Sequence, residues 1–454
     1  MFSQYGTPKA DAQTAQEQSQ QLSQQLESFL MPLLICLDAW LDARLVRTFL
    51  KTIAAMTMFR QRSQGLHLSE LGSYLLNGSQ APAATKRIER LLHSSKWSKK
   101  IIEQFLWDGA EEKLHHLEEE HNQALCVWDG SVVEKPESQK TEGMCSVRSS
   151  KGARLKKQRK GVYNFPPGKP ITVLGIEWIQ LLIIGMSGTP WIATTRWWTR
   201  RGERASNLRE QEQQLLLCVS NKWGRRVVHI FDRGYTSVKW LQCLFALRLH
   251  FVMRVKKRVQ YLDQKGQEKK IWEIARGKRS WDKREIWDAR KGKFIEMGVV
   301  AMPIWHAKID KTIWLVVGRR GNDPLYLLTD AVIETIDQAW DVLGVYARRW
   351  QIEVSFRYEK SELAIESSCL RKWEHREKLL LMLTLVYAYL ISLSTPFWEK
   401  TREWLLRCYC HRTGKKLKET IVPLYRLRWA LSRLWIEHHP FFSLAFSTTP
   451  NCSN

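Results

Sequence analysis

The chain is poor in acidic residues relative to basic ones. Lys and Arg number 71 against 46 Asp and Glu, a formal net charge of +25 over 454 residues. A surplus of that size points to a polyanionic partner, and nucleic acid is the commonest one. The chain also lacks an even cysteine framework. Its nine cysteines include Cys126, Cys145, Cys218, Cys243 and Cys369, scattered among apolar residues. That excludes a small disulfide-stapled scaffold and reads as reduced core positions. Cys408, Cys410 and His411 stand together, but with no CxxC partner a zinc site is not expected there. The first 25 residues hold eight glutamines, one lysine and no apolar run. An export signal is therefore not expected, and 1–25 reads as disordered. Long membrane-spanning runs are also missing. Residues 171–193 are broken by Glu177, Gly185, Gly188 and Pro190 and read as two strands. Residues 379–397 are apolar but read as a buried core helix, so no membrane is expected. There is no internal repeat.

A hydrophobic content of 44% supports full cores, and the length suits two to four domains. From 26 to 118 the pattern is helical. Residues 66–76, a turn at 77–79 and residues 82–93 read as helix, turn, helix, with Ser79 as the cap and Pro82 in the first turn. Lys86, Arg87 and Arg90 lie on the second helix, which suits a helical DNA-binding domain. The plainer reading is an αα-hairpin with a solvated basic face. The period changes after Gln123. The apolar run 124–128 reads as a strand ending at Asp129. Residues 143–170 then carry eight basic residues, from Arg148 to Lys169, and no acidic one. Strands follow near 171–186 and 190–198, a helix near 206–221, and a strand at 226–231 ending in Asp232. Residues 236–247 read as a helix, and 249–334 as a β-rich insertion. Residues 335–398 bring a helix carrying a glutamate, and 399–454 is helical and basic. The expected fold class is α/β: a ribonuclease-H-like core, first part 119–248 and second part 335–398, interrupted by the insertion and flanked by helical regions.

The most specific pattern is Tyr346, Arg349, Glu353 and Lys360. At about 100° per residue, these four fall within an arc of roughly 60° on one helix. Such a face presents a carboxylate flanked by cations and a phenol. It suits a metal ion through Glu353 and a phosphodiester through the cations. Two strand-borne aspartates, Asp129 and Asp232, complete the set of acids a two-metal phosphoryl-transfer site needs. Taken singly, an aspartate at a strand end is more often a turn or cap residue. Glu359 and Glu362 fall on other faces of the helix and are rejected as substitutes.

The spacing Tyr-x2-Arg-x3-Glu-x6-Lys resembles the signature of one branch of the DDE transposases of bacterial insertion sequences, the insertion sequence four type. Trp128-Asp129-Gly130-Ser131 resembles the first catalytic region of that family, and Phe231-Asp232-Arg233-Gly234-Tyr235 the second. The resemblance covers roughly 120–395. It implies a DNA transposase in which Asp129, Asp232 and Glu353 hold two Mg²⁺ ions, with Mn²⁺ able to substitute. It further implies nicking at transposon ends and strand transfer into target DNA. Tyr346, Arg349 and Lys360 would contact phosphates, with Tyr346 not acting as a nucleophile. The implied partners are double-stranded DNA, both terminal inverted repeats and target, and a second copy on DNA. The implied setting is the bacterial cytoplasm, at the nucleoid. Some members stack a flipped base on a tryptophan of the insertion. Here Leu325 stands at that place, beside Tyr326, with Trp314 the other aromatic. The competing readings are a stand-alone ribonuclease-H-like DNA nuclease and a non-catalytic, domesticated DNA-binding relative.

Overall fold

The computed structural model describes residues 10–149, 171–410 and 424–443, apart from positions 77, 136, 137, 139, 289–291 and 322. Most of the basic segment 143–170, and His411, lie outside the described residues.

The described strands form one large sheet. They are β1 (Leu125–Glu134), β2 (Cys145–Arg148), β3 (Thr172–Ile184), β4 (Trp191–Trp198), β5 (Val228–Phe231), β6 (His250–Arg254), β7 (Gln260–Leu262), β8 (Glu268–Lys270), β9 (Asp282–Asp288), β10 (Lys293–His306), β11 (Ile309–Arg319) and β12 (Leu325–Thr329). The order is β2-β3-β1-β5-β6-β12-β11-β10-β7-β8, with β4 added to β3 and β9 to β10. β1 runs antiparallel to β3, β3 antiparallel to β4, and β5 and β6 parallel to β1.

The helices are α1 (Ala12–Asp38), α2 (Ala43–Met58), α3 (Leu68–Leu75), α4 (Ala81–His93), α5 (Lys100–Glu119), α6 (Leu208–Trp223), α7 (Val238–Ala246), α8 (Ile271–Ala275), α9 (Ile336–Ala347), α10 (Trp350–Ser361), α11 (Trp373–Ser392), α12 (Glu399–Tyr409) and α13 (Leu424–Glu437). They cover both faces of the central strands, so those strands are apolar on both sides. Leu125 and Val127 of β1 join the core shared with α10 and α11. Cys126 and Trp128 join the core shared with α6 and α7. Strand alternation therefore sends Asp129, like Leu125 and Val127, towards α10.

The N-terminal helices are not a separate body. Their buried residues share one core with α11 and α13. Tyr389 on α11 donates to the Leu22 carbonyl at 2.8 Å, and Ser432 on α13 to that of Met58 at 2.6 Å. α11 is buried along nearly its whole length. Among the described residues, no single helix is long and apolar enough to cross a membrane; by length and composition alone, one pair bent by 75°, Trp373–Ser392 with Pro396–Tyr409, would be.

Three expectations need correction. The first helix starts at Ala12, capped by Asp11, so residues 12–25 are helical and not disordered. Glutamine-rich composition hid a helical spacing: Ala15, Ser19, Leu22, Leu26, Leu30, Leu33 and Leu37 form one buried stripe. The turn between α3 and α4 is a 3₁₀ turn at Gly78–Gln80, and Gln80, not Ser79, stands at the N-cap position of α4, with no side-chain capping bond. α3 packs close to α4 at Gly72, where a Cβ would lie 2.8 Å from the Ala81 carbonyl oxygen. Finally, a boundary at 249 cuts the sheet. β6 pairs with β5 as a central strand, and β12 adds directly to β6, so the β-rich run continues the sheet.

Candidate active site

Asp129 lies in the middle of β1, not at its end as expected, because the strand continues to Glu134 along β3. Asp232 does follow the last residue of β5 and begins a 3₁₀ turn. The parallel register pairs Leu125 with Val228, Cys126 with His229 and Val127 with Ile230. Continued two residues, it sets Asp129 level with Asp232 on adjacent strands. Both aspartates then point to the face covered by α10. Glu353 sits in the first turn of α10, where the helix dipole favours a negative charge.

The signature does not lie on one helix, as expected. Tyr346 belongs to α9 and Arg349 caps α10. The joint is closed by i→i+3 bonds, Arg348 N–H to Val345 and Arg349 N–H to Tyr346. This tighter turn carries the chain on without reversing it, so the face survives the break. Arg348 anchors the joint by donating to the carbonyls of Gly185 at 3.0 Å and Gly188 at 2.8 Å.

The arginine of the signature ties the acids together. Arg349 donates to Asp129 Oδ2 at 3.0 Å and pairs with Glu353. The Tyr346 hydroxyl lies 3.4 Å from Asp232 Oδ1, and the Arg349 guanidinium sits 5.8 Å from the Tyr346 ring centre. Burial pushes the Asp129 carboxyl up to about 6. Arg349 and the Gly130 N–H oppose that rise, and the charges of Asp232 and Glu353 add to it. Burial likewise raises the Tyr346 phenol to about 12, so it stays a hydrogen-bond donor at neutral pH. Burial alone would lower the Arg349 pKa, but Tyr346, Asp129, Glu353 and Asp232 hold it above its ordinary value.

Asp129, Asp232, Tyr346, Arg349 and Glu353 are thus brought together. Lys360 is part-buried on α10, two turns and about 10 Å further along the axis. Glu359 is fully buried and Glu362 pairs with Arg62 at 2.7 Å, so neither joins the cluster. Lys86, Arg87 and Arg90 are exposed on α4. Several neighbours carried no sequence signal. A cavity of about 270 Å³ beside Asp129 and Asp232 is also lined by Glu177, Arg209, Glu212 and Tyr235. These come from β3, α6 and the turn after Asp232, and only the fold collects them. A larger cavity, about 930 Å³, lies between α1, α5 and Trp191 and is lined by none of Asp129, Asp232 and Glu353.

Hard carboxylate oxygens are the donors Mg²⁺ or Mn²⁺ takes. Among the described residues, no three His, Cys, Asp or Glu side chains converge at metal-ligand spacing, and the Arg349 guanidinium stands between Asp129 and Glu353. The mutual repulsion felt by Asp129, from both Asp232 and Glu353, nevertheless marks one anionic centre that a cation would relieve. The donor set fits.

Residues 207–389 match the family model of the transposase DDE domain. The match supports a DDE transposase family. It takes in Asp232, Tyr346, Arg349, Glu353 and Lys360, and it begins after Asp129. Among solved structures, the chain is similar to a piggyBac transposase synaptic complex with hairpin DNA, at 11% identity and a TM-score of 0.40, over 89% of this chain and 74% of that one. No curated protein matches the chain.

Proposed function

We propose that this chain is a DNA transposase of the insertion-sequence type, which nicks transposon ends and joins them to target DNA. The observation that carries the reading is the register of β1 and β5. It sets Asp129 level with Asp232 under the helix that bears Glu353, with Arg349 spanning the cluster. A ribonuclease-H-like core is supported by the strand order β4-β3-β1-β5-β6, antiparallel over the first three and parallel over the last three. Asp129, Asp232 and Glu353 would hold two Mg²⁺ or Mn²⁺ ions, which when bound activate water or a DNA 3′-hydroxyl and stabilise the leaving 3′-oxygen.

The chain's own groups do the rest. Tyr346 keeps its proton and donates a hydrogen bond. Arg349 carries a fixed charge against the acids and offers guanidinium N–H groups to a phosphate. Lys360 extends the cationic line along α10 to phosphates nearer the DNA end. The α3–α4 hairpin presents Lys86, Arg87 and Arg90 to double-stranded DNA at the terminal inverted repeats. Joining two ends calls for a homodimer on DNA. The setting is the bacterial cytoplasm, at the nucleoid.

The test uses the full chain, Mg²⁺, and plasmid DNA carrying the sequences that flank the coding region. Mg²⁺-dependent nicks with 3′-hydroxyls at inverted repeats are expected. Nicking that persists in Asp129→Ala, Asp232→Ala or Glu353→Ala above a hundredth of wild type would remove that residue from the site.

A further inference from the structure

Directly across the sheet from Asp129, on β3, stands Gln180. Its side chain is completely buried. It faces α10 as Asp129 does, since paired residues on neighbouring strands share a face. All of its hydrogen-bonding groups are engaged. Its Oε1 accepts from the Ser355 hydroxyl at 2.5 Å, and its Nε2 donates to Glu359 Oε2 at 3.2 Å and to Thr195 Oγ1 at 3.3 Å. Ser355 and Glu359 are one turn apart on α10, the helix that carries Glu353. Ser355 follows Glu353 by two residues and so points away from it, onto Gln180. Phe356 packs beside it on Trp178, with ring centres 4.9 Å apart.

We propose that Gln180, gripped by Ser355 and Glu359, is a positioning residue that fixes Glu353 over Asp129. The proposal rests on the two-metal reading of the three acids. Gln180 is the link of the clamp on the sheet side, one strand from Asp129. Ser355 and Glu359 grip it from the helix side. Three buried polar side chains are linked here by hydrogen bonds, where apolar residues would pack as well without specifying the height of the helix. Among the described residues no cation is bonded to the Glu359 carboxyl; burial raises that carboxyl to about 8, and the hydrogen bond from Gln180, the charge of Lys360 and the Thr384 hydroxyl lower it only in part. The titratable groups facing it are Lys360 on its own helix and Tyr387 on α11, whose phenol burial holds well above its ordinary value. A neutral acid keeps Oε2 as an acceptor for Gln180 without placing an unpaired charge inside the core. The second oxygen, Oε1, is buried with no partner, which suits an acid more than a carboxylate.

The test is Mn²⁺ affinity of the full-length protein, read by electron paramagnetic resonance at pH 7, beside thermal melting of each variant. Glu359→Gln keeps an oxygen acceptor without a titrating group and should bind Mn²⁺ within threefold of wild type. Glu359→Leu fills the space without an acceptor and should bind 10–100-fold more weakly, as expected when the support of a metal ligand is lost. A packing role alone would lower the melting temperature and leave the Mn²⁺ affinity of the folded protein unchanged. Wild-type affinity in Glu359→Leu, or equal losses in both variants, would overturn the clamp. Should Glu359→Leu not melt cooperatively, Ser355→Ala decides: at least threefold weaker binding supports the clamp, and unchanged binding overturns it. Asp129→Ala separates the two layers. If it loses Mn²⁺ while the Glu359 variants behave as wild type, only the clamp fails. If it binds as wild type, the metal reading fails and the clamp falls with it.

Discussion

Replacing Arg349 by alanine tests whether the signature arginine is part of the anionic centre or only a helix-surface partner of Glu353. The Arg349 side chain is 12% exposed and bridges Asp129 and Glu353, which are 24% and 33% exposed. Truncation leaves two carboxylates facing Asp232 without their counter-charge. Breaking a fully buried pair costs roughly 3–5 kcal/mol. Partial exposure of both acids screens part of that, so about 2–3 kcal/mol is expected for the metal-free protein at pH 7.5. In a chain of this size, that lowers the melting temperature by roughly 2–3 °C. A simple i,i+4 surface pair would cost only a few tenths of a kcal/mol. The pH dependence adds a second handle. The Asp129 carboxyl is raised from 3.8 to about 6, so its protonated form stabilises the fold at low pH, and that contribution is lost as pH rises through about 6. Without Arg349, Asp129 titrates higher still. The defect should therefore shrink to under about 1 kcal/mol at pH 5, where Asp129 is neutral and needs no counter-charge. Millimolar Mg²⁺ at pH 7.5 should recover more of the loss in the variant than it adds to wild type. The assay is thermal melting by circular dichroism at both pH values, with and without Mg²⁺. A shift below 1 °C at pH 7.5, or equal shifts at pH 5 and pH 7.5, would refute the reasoning and leave Arg349 as a packing residue.

Three further outcomes are expected. Alanine at Asp129, Asp232 or Glu353 should abolish Mg²⁺-dependent nicking while leaving duplex binding within a fewfold of wild type, as read by gel shift, because the exposed cations of α4 are untouched. Lys86→Ala, Arg87→Ala and Arg90→Ala combined should reduce the slope of log affinity against log salt by roughly three, measured by fluorescence anisotropy on the full chain; an unchanged slope would move DNA contact elsewhere. Glu359→Gln should flatten the fall in stability between pH 4.5 and about 8, since the raised wild-type carboxyl stabilises the fold below 4.5 and loses that contribution as pH rises through about 8. The wild-type swing is a few kcal/mol, and denaturant midpoints that change identically with pH in both proteins would count against a buried acid.

The strand before Asp232 and the helical spacing of Arg349 and Glu353 were legible in the linear chain. The run 124–128 is apolar at every position and 227–231 at every one but His229, as strands covered on both faces must be. The spacing of Tyr346, Arg349, Glu353 and Lys360 follows helical geometry. Such local periodicities depend on the backbone's own repeat, so they survive without knowledge of partners. The same logic misplaced two features. Asp129 ends the apolar run but not the strand, because β3 supplies hydrogen bonds as far as Glu134 and the hydrophobic pattern stops earlier. Glutamines in 12–25 disguised a helix whose buried stripe becomes visible once α11 and α13 are packed against it.

What no linear pattern could reveal is which side chains meet. Gln180 and Glu359 are separated by 179 positions and Asp129 and Arg349 by 220, and neither pairing has a local period. Their meeting depends on the register of β1 with β3 and β5 and on the depth at which α10 sits on the sheet. Register is decided by the summed burial of whole strands, where a slip of one residue would turn every apolar side chain to the other face. The spacing of the acids is written in the chain; the arginine between Asp129 and Glu353 and the buried acid behind them are consequences of packing.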